Sequence, residues 1–423
     1  MKRTIIISVF LIFCINCFAQ NDSIINRLDE VVLHADKKLE KHSVGYKVIT
    51  LSDSVILNNT ESFTSLLRFN SPIYLKEYGA GGTSSASFRG TSASNTAVIW
   101  NGVNINSINN GQTGFNSLTV SLFDGINIRS GGGSIEYGSG AVGGTIHLND
   151  KLLFTNEKLI TNQVLASVGS FETYQGLYKF KLSHSKYAVN FGVSYNQSEN
   201  DYPFLNSDLK NTNGSYQNLG VNASVAYQLT KTSKLKFYSA NYLGERFFSG
   251  ELPNPLSAND KYQDLSHRNL LIYTHEKSRF AQELKLGFLT QEYRYFDDSS
   301  KDIFSFGKSK RYLANYNLAY NMPEIKAKIT SYSEYESVFG KTDRITEKNR
   351  QQFSQSIVYN QNIDNLVFLE AKFRKDYNTD YKVPFTYALG VKMKPLKAFF
   401  LRANGSKNYR VPTYNDLYWY WSR

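Results

Sequence analysis

Few residues in this chain are spaced for catalysis. His34, His42, His147, His184, His267 and His275 are dispersed along the sequence, and neither an HExxH nor a GxSxG occurs. A zinc-peptidase helix needs its two histidines four apart, and a serine nucleophile needs the sharp turn that flanking glycines allow. Cys14 and Cys17 are the two cysteines, and both fall in an apolar leader. No cysteine nucleophile or thiolate metal site is therefore expected in the mature chain. Gly138, Gly140 and Gly143 spell a literal GxGxxG. A dinucleotide site requires a strand before that motif and a helix after it. Here Thr145-Ile146-His147-Leu148 reads as a strand, so the glycines read as a turn. No catalytic constellation emerges, and the expectation is a protein that is not an enzyme.

One short patch has chemistry of another kind. Leu28-Asp29-Glu30-Val31-Val32-Leu33 is an apolar, β-prone segment inside an otherwise charged stretch. Such a segment suits addition as a strand to a partner's sheet edge, where main-chain hydrogen bonds supply the affinity. Taken alone, it suits the first strand of the domain better.

The elements around these residues follow from composition. The 423 residues carry 30 Tyr and 28 Phe against 8 Pro and 3 Met, which favours long β-strands. Lys2 and Arg3, the apolar run Thr4–Ile15 and the small residues around Cys17-Phe18-Ala19 read as a secretory signal peptide over residues 1–19. Its removal leaves a cysteine-free chain in an oxidising compartment, held by packing and strand pairing. The formal net charge of +12 is compatible with an anionic partner. Without an RNP, zinc-finger or basic-helix pattern, a solvated basic surface explains it better than nucleic acid does.

Three regimes follow the leader. Residues 20–44 form a charged arm. Residues 45–150 are rich in tight turns, because fifteen of the 28 glycines lie between Gly79 and Gly144. Within them Ser62–Phe69 predicts a short helix, and Ala97–Trp100 and Gly125–Ile128 predict short strands. Asn101-Gly102 predicts a hairpin turn. Residues 151–423 hold 26 of the 30 tyrosines and alternate with period two. Tyr187, Val189, Phe191, Val193 and Tyr195 share one face; Tyr312, Ala314, Tyr316, Leu318 and Tyr320 share another, as do Phe385, Tyr387, Leu389, Val391 and Met393. Alternation alone also suits a soluble sandwich. The connections, however, alternate short with long, the pattern of turns and loops in an outer-membrane barrel. The 273 residues from Lys151 to Arg423, at about 20 per strand and connection, give roughly thirteen strands. Bacterial barrels close with an even number, so a C-terminally truncated piece of a larger barrel is the expectation.

These pieces resemble the TonB-dependent outer-membrane receptors. Leu28–Leu33 is similar to their TonB box. Ser87-Phe88-Arg89-Gly90, Trp100–Asn106 and Ile135–Gly144 resemble the signatures of their plug domain, and Tyr409–Tyr418 resembles a motif of their barrel. The wording is most like the vitamin B12 (cobalamin) receptor subgroup. The resemblance implies an all-β transmembrane barrel of 22 strands, about thirteen of them present here, with an N-terminal α+β plug over residues 45–150. It implies import across the outer membrane of a Gram-negative bacterium of a scarce, large polar ligand, such as cobalamin or a related metal chelate. A siderophore receptor, a non-transporting surface binder and a passive porin are the alternatives.

The implied partners are a TonB-type energy transducer in the periplasm, outer-membrane lipid and lipopolysaccharide, and the small-molecule ligand, with a surface lipoprotein left open. On the resemblance, Arg89 and Arg129 would pair with barrel carboxylates and latch the plug. The plug apices, Tyr78–Ser87 and Asn104–Gly114, would meet the ligand through Tyr78, Ser84, Ser85, Asn104, Asn106, Asn109, Asn110 and Gln112. No cofactor is implied except calcium, which the cobalamin subgroup binds in an early outer loop. Here Glu199, Asp201 and Asp208 stand in that loop among asparagines, a poor set for an ion that favours several carboxylates.

Overall fold

The computed structural model describes residues 31–34, 39, 42–59, 62–79, 81–250, 254–396 and 399–419. The expected signal peptide and most of the arm, Leu28, Asp29 and Glu30 included, lie outside the described residues. Nine strands belong to the first 154 residues: β1 (Val31–His34), β2 (Val48–Leu51), β3 (Tyr74–Glu77), β4 (Ser84–Ser87), β5 (Thr96–Trp100), β6 (Val103–Asn104), β7 (Gly125–Ser130), β8 (Gly144–Asn149) and β9 (Lys151–Phe154). Among the described residues they are accompanied by the short helices α1 (Asp53–Leu57), α2 (Phe63–Asn70) and α3 (Ser134–Tyr137).

The plug is built on a five-stranded mixed sheet in the order β2-β7-β8-β5-β6, with β5 and β8 parallel. The expected helix is α2. Ser62 caps it by accepting from the Ser65 amide at 3.1 Å, and Leu66 and Leu67 are buried. Asn101 and Gly102 both take positive φ and join Trp100 to Val103, as the hairpin signal requires. Gly138 and Gly140 also take positive φ, and β8 follows them. The glycine motif is a turn entering a strand.

The second half is one antiparallel sheet of thirteen strands in sequence order, matching the expected number. The strands are β10 (Leu159–Gly169), β11 (Thr173–Ser183), β12 (Tyr187–Ser198), β13 (Tyr216–Gln228), β14 (Ser233–Phe247), β15 (Lys261–Lys277), β16 (Phe280–Phe296), β17 (Ser305–Met322), β18 (Ala327–Thr342), β19 (Ile345–Ile363), β20 (Val367–Asn378), β21 (Thr386–Leu396) and β22 (Phe399–Lys407). A last helix, α4 (Tyr414–Tyr418), follows. The sheet is open, with β10 and β22 as its edges.

The alternation sorts the two faces opposite to a soluble sheet. Phe191, Tyr195, Tyr312, Tyr316, Tyr387 and Leu389 are exposed, whereas Ala188 and Ser194 are buried. Apolar side chains face outward, as a strand between lipid and a polar interior demands. Cross-strand partners reinforce that face: Phe280 with Tyr320 and Phe288 with Tyr312 each have ring centroids 5.0 Å apart. The inner face holds the plug. Ala188, Ala226, Ala240 and Leu270 of the sheet join Ile126, Ile146 and Leu148 of the plug in one apolar cluster. Glycines set the fit at one point. A Cβ on Gly192 or Gly220 would lie under 3.0 Å from the Leu122 side chain, so Leu122 seats on two bare backbones.

Candidate functional site

Two features of the inner face could do work. The first is a cavity of about 630 Å³ between plug turns and the wall. The plug contributes Ser84, Asn109, Asn110 and Gln112; the wall contributes Tyr242, Tyr262, Tyr293 and Tyr295, with Arg246, Arg268 and Arg344. Tyr242, Arg246, Tyr262, Tyr293 and Tyr295 lie toward strand ends that carry longer loops, Arg344 lies in the short turn between Thr342 and Ile345, and Arg268 sits at mid-strand. The rings of Tyr262 and Tyr293 stack with centroids 5.6 Å apart and planes 10° apart. A large ligand can meet flat apolar faces, hydroxyls and guanidinium groups there.

The expected ligand contacts divide. Ser84, Asn109, Asn110 and Gln112 line this cavity. Asn104 and Asn106 line a smaller one of about 170 Å³. Their amides brace the plug itself: Asn104 Nδ2 donates to the Ser139 carbonyl at 3.0 Å, and Asn106 Nδ2 to those of Thr96 and Gly111 at 2.8 Å. Tyr78 is exposed with Lys76 over its ring, and Ser85 lies in β4; neither lines these cavities.

The second feature is the seat of the plug, where the expected arginine latch is corrected. Arg89 is exposed and forms no ion pair among the described residues. Arg129 is buried, but its carboxylate partner is Glu136 of the plug itself, at 3.2 Å. The polarity is reversed: plug carboxylates meet wall lysines. Glu136 pairs with Lys372, which also holds Glu370 at 2.6 Å and donates to the His42 carbonyl at 2.9 Å. At the other side of the plug, Asp124 pairs with Lys179 at 2.8 Å and Lys181 at 2.7 Å. Burial alone would raise the Asp124 pKa; the two ammonium groups outweigh it and hold the carboxyl below its usual value. Burial first, and then Asp124, push the nearby Asp150 up to about 7.

The sequence carried a signal for these residues. In β20, Glu370, Lys372, Arg374 and Asp376 alternate with the outward Phe373 and Tyr377, which forces four charges inward. Only the fold shows what they meet there.

His42 makes the seat sensitive to mild acid. Its Nε2 lies 2.5 Å from the Tyr332 hydroxyl, and its Nδ1 lies 3.5 Å from Glu370 without an aligned hydrogen bond. Burial drives its pKa below 6.5; the pull of Glu370 and Glu136 upward does not offset burial and Lys372. A depressed folded-state pKa contributes stability that is present above pH 6.5 and is lost as pH falls toward the lowered value. Glu136 stays ionised throughout that window: burial raises its pKa, but Arg129 and Lys372 hold it far below 4.5. Protease resistance of the residues around His42 should therefore fall between pH 7 and pH 5. In His42→Gln that fall should be lost; a fall of the same size in the variant would assign the transition to another group, Asp150 included.

Among the described residues no group of three His, Cys, Asp or Glu side chains is placed to hold a metal, Glu199, Asp201 and Asp208 of the early outer loop included. Asp201 faces Lys210 at 3.4 Å. Asparagines order the loop instead: Asn211 donates to the Asn200 carbonyl at 2.8 Å, and Asn213 to that of Phe248 at 2.9 Å.

Part of the strand-lending patch is already paired. β1 lies antiparallel to β9, with Val32 opposite Leu153.

A small mixed-sheet domain seated on the inner face of a β-sheet that turns its aromatic side outward defines a plugged outer-membrane receptor. The TonB-dependent receptor plug domain family matches residues 40–145. The vitamin B12 transporter BtuB of Photobacterium profundum is 22% identical over 430 residues, spanning 99% of this chain and 68% of the relative. Among solved structures, the siderophore receptor PirA from Acinetobacter baumannii superposes with a TM-score of 0.72 at 15% identity, covering 90% of this chain and 62% of that one. The ferric-catecholate import receptor Fiu from E. coli K12 gives a TM-score of 0.69 at 11% identity, covering 90% and 73%. The chain thus spans about two thirds of the length of the proteins it matches. Residues 40–145 are a TonB-dependent receptor plug domain, and the chain resembles BtuB.

Proposed function

We propose that this chain imports a scarce, large polar ligand, cobalamin or a related metal chelate, across the outer membrane. The observation that carries the reading is the cavity of about 630 Å³ between the plug turns and the wall, large enough for a ligand and lined for a polar one. The plug fills the space behind it, so passage requires the plug to move. With no ATP in the outer membrane, the work comes from a TonB-type periplasmic partner that takes Leu28–Leu33 as a strand. Binding and translocation without turnover make it a transporter, not an enzyme. A ferric siderophore is the second reading, favoured by the likeness to PirA and Fiu.

The test is uptake of radiolabelled cyanocobalamin and of ferric chelates by cells whose own receptors are deleted. Import that stops when the proton-motive force is collapsed is the expected result. Uptake indifferent to the uncoupler would make the protein a passive porin, and binding without uptake in energised cells a surface binder.

A further inference from the structure

The large cavity contains one buried charge that has no hydrogen bond or ion pair among the described residues. Arg268, midway along β15, is only 4% exposed and lines the cavity. Its Nε is buried with no acceptor, and among the described residues its guanidinium has no hydrogen bond or ion pair. Other arginines lining the cavities have carboxylate partners. Arg246 reaches Asp264 at 3.5 Å, Arg311 reaches Glu336 at 3.0 Å, Arg344 reaches Asp343 at 3.5 Å and Arg350 reaches Asp380 at 2.9 Å. Asp264 lies on the same inward face of β15 as Arg268 but forms no ion pair with it; Arg246 reaches one Asp264 oxygen at 3.5 Å, and Oδ1 stays buried without a hydrogen bond. The remaining cavity carboxylate, Glu292, is held by Lys308 at 2.9 Å and Arg294 at 3.3 Å. Arg268 is left without a direct partner. A second donor stands beside it: the buried Ser266 hydroxyl, two residues along the same face, also lacks a partner.

An unpaired buried cation is costly, and native proteins satisfy such groups. The guanidinium fork matches a carboxylate or phosphate in two parallel hydrogen bonds. We infer that the cavity takes a ligand bearing an exposed oxyanion, a carboxylate or a phosphate, which docks on Arg268 and Ser266 while a flat part of the ligand lies against the stacked Tyr262 and Tyr293. This deepens the import reading and rests on it, because it names the chemistry of the ligand in the same cavity. It also orders the two candidate ligands by a common feature: a carboxylate chelate and the phosphodiester of a cobalamin can each supply the oxyanion, whereas an uncharged chelate cannot.

The experiment is a binding titration on the purified chain in detergent, read by quenching of Trp419, which lines the cavity. Trp419→Phe, which leaves only Trp100 and Trp421, serves as the control for quenching outside the cavity. The probes are ferric citrate for the carboxylate, cyanocobalamin for the phosphodiester and an uncharged ferric trihydroxamate as the neutral counterpart. At least one oxyanion probe should bind tenfold or more tighter than the trihydroxamate, and whichever does so identifies the source. Arg268→Gln should lose at least tenfold for that probe and little for the trihydroxamate. Arg268→Lys, which keeps the charge without the fork and guards against a misfolded variant, should fall between. Three results would overturn the inference: equal binding by wild type and Arg268→Gln, a preference for the neutral chelate, or no binding of either oxyanion probe. The import reading fails separately, if a probe that binds is not taken up by energised cells.

Discussion

Lys372→Met is expected to loosen the plug from the wall by about 3–5 kcal/mol, the cost of breaking a buried ion pair from one side. Lys372 is 1% exposed and ties three groups together: Glu136 of the plug, Glu370 of its own strand and the His42 carbonyl. Around it the charges nearly cancel, with Arg129 and Lys372 set against Glu136 and Glu370. Removing the lysine leaves Arg129 alone facing two buried carboxylates. Methionine fills similar volume, so the effect is one of charge and not of a cavity. The measurement is the denaturant midpoint of the plug, followed by protease cleavage near His42. Lys372→Met with Glu370→Gln restores neutrality while the Arg129–Glu136 pair stays intact, and should recover more than half of the loss. A single variant as stable as wild type would show that the pair contributes no net stability. A double variant no better than the single would show that the lysine acts by packing.

Joining β1 to β9 by a disulfide, Val32→Cys with Leu153→Cys, should abolish uptake while leaving surface binding near normal. The residues face each other in an antiparallel pair. Opposite positions in such a pair lie about 4.5–5.5 Å apart between Cα atoms, within disulfide range. The two cysteines of the sequence, Cys14 and Cys17, both fall in the expected signal peptide. The logic is competition for one backbone: a strand whose donors and acceptors serve β9 cannot also serve a partner's sheet edge. Reductant should restore uptake in the same cells. Val32→Pro is a companion variant, because proline removes a donor and fixes φ. It should weaken both pairings, and so should stop uptake without being rescued by reductant; Val32→Ala should do less. Normal uptake by the oxidised double-cysteine protein would mean that β1 stays on β9 during transport. Loss of surface binding along with uptake would mean that the arm supports the ligand site.

Much of the architecture followed from local rules. Period-two alternation with short and long connections led to thirteen strands, because a strand between lipid and a polar interior must alternate and its register leaves little choice. Ser62 before Phe63–Asn70 and Asn101-Gly102 after Trp100 set a helix start and a hairpin for equally local reasons, a side-chain cap and a pair of positive φ angles. The inward parity of Lys179, Lys372 and Arg268 was also legible, each being opposite in parity to a neighbouring outward aromatic or aliphatic residue. What each inward charge meets was not. Glu136 and Lys372 are 236 residues apart, and Asp124 and Lys179 are 55 apart. Such pairings depend on how the plug rotates within the wall, which no local period encodes. That rotation turned the expected arginine latch into carboxylates held by lysines, and made Asn104 and Asn106 braces of the plug. It also left Arg268 with no ion pair among the described residues. Strand identity is a property of neighbours in sequence; charge balance at an interface is a property of neighbours in space, and only the tertiary structure decides it.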